Sequence, residues 1–71
     1  MNNPIYAKGG VFDEAWRMVQ RSGLEVVSIS RPHGRWHVVG SYNGIWMIGS
    51  DMDLIEAANK VLVKFAEHKG H

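Results

Sequence analysis

The dipeptide Asn43-Gly44 stands between two runs, Arg35 to Tyr42 and Ile45 to Ile48, that are rich in β-branched and aromatic residues. Asn-Gly is the strongest short-range signal for a two-residue hairpin, because both central residues of a type I′ turn need positive φ. Such a turn sets the register: the residues flanking it face each other, and side chains then alternate between two sides. Tyr42 opposes Ile45, Gly40 opposes Met47 and Val38 opposes Gly49, and Trp36 continues that side. Arg35, His37, Val39 and Ser41 fall on the other side, against Trp46, Ile48 and Ser50.

The rest of the chain falls into place around this hairpin. From Val11 to Ser22, Phe12, Ala15, Trp16 and Val19 recur at helical spacing, and Gly23 follows where a left-handed cap would sit. Asp13 and Glu14 near its start and Arg17 and Arg21 toward its end complement the helix dipole. Leu24 to Ser30 reads as a first strand, closed by Pro32 and Gly34. After the hairpin, Ser50 offers an N-cap with Asp53 three residues on, and Leu54, Ile55, Ala58, Leu62 and Phe65 form a helical stripe to about His68. The sequence predicts an α+β domain over 11–69, ordered α-β-β-β-α, with a three-stranded antiparallel sheet and two helices packed on one face. Residues 1–10, with Asn2, Asn3, Pro4 and Gly9, read as a flexible N-terminal arm.

An antiparallel sheet covered on one side alternates apolar inward and polar outward. Here the alternation is incomplete. The side of Val38, Gly40 and Met47 is the more apolar and is assigned to the helices, which leaves Trp46, Ile48 and Val39 on the open side, framed by Arg35, His37 and serines. An aromatic and apolar patch with a polar rim is the anatomy of a protein interface. Trp46 is the expected anchor, Ile48 and Val39 its surround, and Arg35 and His37 its rim. Two alternatives remain: reversed faces, with Trp46 in the core, or coverage of this side by helix or arm residues.

Seventy-one residues without a cysteine make a thin core, since a chain this short buries only roughly 60% of its unfolded surface. No disulfide can reinforce it, so homodimerisation is the expected remedy. No apolar run approaches the ~20 residues of a spanning helix, so no membrane role is expected. The N-terminus MNNPIYAKGG lacks the basic start and apolar run of a signal peptide, and a cytoplasmic location is expected. A net charge of +1 is too small for a general nucleic-acid binder.

No catalytic residue, metal site or cofactor is assigned. His33, His37, His68 and His71 lack ligand spacing and grouped carboxylates. Asp51 and Asp53, at a helix start, read as caps and dipole partners. His37 beside Ser41 or Ser50 is the nearest approach to a nucleophile and base.

The order helix, three strands, helix is similar to the double-stranded RNA-binding domain fold. That family often carries Gly-Pro-x-His between its first two strands, and here Arg31-Pro32-His33 precedes the strand holding Trp36. The resemblance implies RNA contact through Arg31 and His33, with Arg35 and Trp46 available for phosphate contact and stacking. Asp51, Met52 and Asp53 stand where the family's phosphate-gripping lysines would be. A second resemblance is to HicA-type messenger-RNA interferases, which place a catalytic histidine after a Gly-Ser pair in the second strand. Here Gly34-Arg35-Trp36-His37 displaces the histidine by one, and the resemblance implies a ribonuclease using His37 as acid or base. By size, the chain also looks like the small inhibitors of phages and mobile elements, such as anti-CRISPR proteins. The leading expectation is a non-enzymatic module that binds a protein partner.

Overall fold

The computed structural model describes residues 10–70; apart from Gly10, the arm expected over 1–10 lies outside the described residues. Helix α1 (Val11–Arg21) is followed by strands β1 (Glu25–Ser30), β2 (Trp36–Tyr42) and β3 (Ile45–Asp51), and then by helix α2 (Leu54–Lys69). The strands form one antiparallel sheet in the order β1-β2-β3. The fold is α+β, in the order read from the sequence.

The hairpin follows from its turn. Asn43 and Gly44 take φ of 52° and 79°, the left-handed pair a type I′ turn demands. Tyr42 faces Ile45, Gly40 faces Met47 and Val38 faces Gly49. Pairing then continues past Ile48, where β3 was expected to end, through His37 with Ser50 to Trp36 with Asp51. Ser50 is thus a strand residue and does not cap α2. Asp53 does, its carboxylate accepting a hydrogen bond from the Glu56 N–H at 3.1 Å. This placement satisfies one of the four amide donors a helix start leaves free, typically stabilising by about 1 kcal/mol. At the end of α1, Gly23 takes φ 99° just beyond the Ser22 cap, the conformation its identity suggested.

Both helices pack on the side of Val38 and Met47. Ala15, Val19, Leu24, Val38, Met47, Leu54, Ala57, Ala58, Val61 and Phe65 form the buried core. The α2 stripe is rotated from the expected one: Ala57 and Val61 face the sheet, while Ile55 and Leu62 are half-buried at the margin. Gly49 is the reason. A Cβ there would collide with the Ala57 carbonyl oxygen and sit 2.5 Å from the Val61 nitrogen, so the missing side chain is the space into which the α2 backbone settles. Leu24 fills the equivalent space over Gly40, with its Cδ2 only 2.5 Å from where a Cβ would lie.

Strand β1 keeps its apolar residues inward only through a bulge. Val26 pairs with Gly40 and Ile29 with Val38, and the register shifts between Val26 and Ser28. The extra residue is absorbed at Val27, so Ile29 joins the core side and Val27 is turned outward. An unbroken alternation would have sent Ile29 to solvent. Both sheet edges are also blunted. The bulge interrupts β1, and on β3 the Lys64 ammonium reaches from α2 to donate to the Ile48 carbonyl, a device that discourages a further strand from pairing.

Candidate functional site

The side of the sheet away from the helices is a grid set by the register. Glu25, Ser41 and Trp46 form one row across the three strands, Ser28, Val39 and Ile48 the middle row, and Ser30, His37 and Ser50 the third. The three apolar side chains that stand most clear of the protein on this face are Trp46 at 66% exposure, Ile48 at 45% and Val27 at 40%. Val39 is half-buried between its neighbours. Four of the five expected binding residues, Trp46, Ile48, Val39 and His37, therefore share one surface. Arg35, the fifth, is exposed just before β2, at the end of the grid beyond His37.

Reversed faces are ruled out by burial, because Val38 is fully enclosed and Trp46 is not. Val27 was absent from the expected patch. Its sequence neighbours alternate acceptably in either phase, and only the bulge decides which valine points out. Glu25, an exposed acidic residue at the corner beside Ser41, was likewise not anticipated.

His37 is held in place by its neighbour across the hairpin: its Nδ1 lies 2.9 Å from the Ser50 Oγ. The bond leaves Nε2 as the other polar atom of the ring. Serine and histidine at this distance are a nucleophile and a base in many hydrolases, but there a third group orients the imidazole from its far nitrogen. Among the described residues no carboxylate bonds His37, and no three histidine, cysteine or acidic side chains gather as a metal site would require. The pair fits a cross-strand contact that orients a rim residue.

Arg31 and His33 do not join this grid. Both lie in the connection between β1 and β2, where Pro32–Gly34 make a single 3₁₀ turn and His33 takes φ 56°. The Arg31 guanidinium sits 5.3 Å from the centre of the Trp36 ring, and its Nε donates to the Gly34 carbonyl at 3.4 Å. Such a cation–π contact holds the arginine against its own fold.

At the start of α2 the two aspartates are internally engaged. Asp51 accepts from the Asp53 N–H at 3.0 Å and pairs with the Lys60 ammonium at 2.8 Å, while Asp53 caps the helix. The hydrogen bond from Lys60, aided by the Asp53 amide, holds the Asp51 carboxyl below the usual aspartate range. Where a duplex-RNA binder would present lysines, this surface presents carboxylates and a lysine already paired. Among the described residues no helix is long and apolar enough to cross a membrane.

The element order is compatible with that of double-stranded RNA-binding domains. No protein-family model matches the chain, and neither a curated protein nor a solved structure does.

Proposed function

We propose that the protein is a small non-enzymatic binding module that holds a protein partner against its open sheet face, as an inhibitor would cover a surface of a larger host or defence complex. The observation that carries this reading is the exposure of Trp46 and Ile48 on a face that neither helix covers. Tryptophan and arginine are enriched among residues that dominate binding energy, and an apolar centre with a polar rim is the usual layout of an interface. The guarded edges of β1 and β3 favour docking on the face over addition of a strand. RNA binding of the double-stranded type is disfavoured by Asp51 and Asp53, since carboxylates repel phosphate. A His37-dependent ribonuclease would need further groups around the imidazole.

Two measurements test the proposal together. Titration with labelled single- and double-stranded RNA at low and moderate salt should show neither binding nor cleavage. Affinity capture from a lysate of the source cells should retain a protein with the wild type and with Val11→Ala, exposed at the start of α1, but lose it with Trp46→Ala. Salt-sensitive RNA binding would replace the proposal with an RNA module, and cut products that vanish in His37→Ala would make the protein a nuclease. Capture indifferent to Trp46→Ala would remove the open face from the account.

A further inference from the structure

We infer that the open face is occupied by a second copy of this chain, stacked face to face about a two-fold axis parallel to the Ser28, Val39, Ile48 row. This rests on the reading of the face as a protein-binding surface, and it places a second copy where a host protein would otherwise dock, so that the two would compete for one face. The apolar row is the middle one, with Val27 beside it in the bulge, while Trp46 and Glu25 lie in the row on one side and His37 and Ser50 in the row on the other. Arg35 lies further out beyond His37, within electrostatic range of the Asp51 carboxylate of its own chain.

Rotation about an axis parallel to the middle row lays that row on its own copy and exchanges the outer two. Val39 and Ile48 then meet their counterparts, which gives a dry centre. Each Trp46 comes over the second copy's Ser50 and beside its His37, and each Glu25 comes within a long side chain's reach of the second copy's His37 and Arg35. Because the interface is isologous, each of these contacts is made twice. The other in-plane axis, along the strands, would set Arg35 against Arg35, and like charges facing each other disfavour an interface. The charge pattern of the face thus selects one of the two arrangements. The product is a four-layer assembly, helices outside and two sheets packed within, with the sheets aligned to within about 30°. It shields the exposed tryptophan and adds a second core to a domain too small to build a thick one.

The test is a charge exchange read by sedimentation equilibrium over a wide concentration range, with circular dichroism to confirm that each variant is folded. Wild type should be in monomer–dimer equilibrium. Glu25→Arg and Arg35→Glu should each weaken dimerisation about tenfold or more, by turning an attractive pair into a repulsive one twice over. The double variant should recover most of the loss, because the exchanged charges meet again. Trp46→Ala should also weaken the dimer. A wild type that stays monomeric at the highest concentration overturns the second copy as occupant, and the capture experiment then decides the binding reading alone. A dimer indifferent to Trp46→Ala and to both charge changes places self-association elsewhere and overturns the inference. Weakening by both single changes without recovery in the double variant overturns the axis.

Discussion

The inner face of the sheet presents Val38, Gly40, Met47 and Gly49 to the helices, whereas the outer face of the same strands presents Val39, Ser41, Trp46 and Ile48 to solvent. The difference lies less in apolar content than in shape. Inside, glycines alternate with medium-sized side chains, and the backbone of α2 and the side chain of Leu24 fill the gaps. Outside, the largest side chain of the strand stands at the end of a grid of serines and β-branched residues with neither α1 nor α2 against it. A surface built to be covered by its own chain has hollows. The open face has a projection instead, and the same two strands supply both surfaces through alternate residues.

The strongest way to break this comparison is to remove the largest buried side chain of the core and the most exposed apolar one of the open face. Phe65 is buried and meets the Tyr42 ring edge-on with centroids 4.9 Å apart, so Phe65→Ala should cost about 3–5 kcal/mol through lost transfer energy and a cavity. Trp46→Ala, measured by urea unfolding at a concentration low enough to keep the chain monomeric, should change stability by only about 0.5 kcal/mol. Equal losses would mean that Trp46 belongs to the fold after all.

A finer version compares the two inner glycines. Gly49→Ala forces a methyl group into the backbone of α2 and should destabilise by about 3 kcal/mol, the upper range for overpacking, since a helix must move as a unit. Gly40→Ala meets chiefly the Leu24 side chain, whose rotamer can shift, and about 1–2 kcal/mol is expected. Denaturation midpoints of the two variants check the order. If Gly40→Ala were the worse, the seat of α2 on β3 would not be what organises the core.

How much of this was legible beforehand depends on what sets each feature. The hairpin register was readable because Asn43-Gly44 admits one tight turn, and from it came the pairs Tyr42 with Ile45, Gly40 with Met47 and Val38 with Gly49 and the grouping of Trp46, Ile48, Val39 and His37, though not the length of β3, which runs on to Asp51. The phase of β1 was not, because Val26-Val27-Ser28-Ile29 satisfies either alternation until a bulge is known. The rotation of α2 escaped for a similar reason: Ile55 and Leu62 are the more hydrophobic candidates, and only close approach at Gly49 favours Ala57 and Val61. Ser50 was misread as a cap because its hydroxyl suits that role as well as it suits His37. Local chemistry predicts what a residue can bond, and the neighbouring strand decides which bond it makes.

The smallest effect expected lies where the inner face ends, at Asp51, whose register partner is Trp36. This carboxylate joins β3 to α2 by accepting the Asp53 amide and pairing with Lys60. Its folded-state pKa is depressed, chiefly by the Lys60 hydrogen bond. A depressed pKa means that the folded protein binds the proton less readily than the unfolded chain does. The associated stabilisation is therefore fully present above the unfolded value of about 3.9, and it is lost as pH falls from there through the folded value. Asp51→Asn lacks the titrating group, so the stability advantage of wild type over this variant should hold from neutral pH to about pH 5 and then shrink in the acid range. Urea unfolding of both proteins between neutral and acid pH measures that difference. Because the pair stands at the surface, added salt should shrink it as well. A difference that instead grew toward low pH would show that Asp51 is held against its preference, and that α2 is tied to the sheet by its apolar stripe and Gly49 without help from this end.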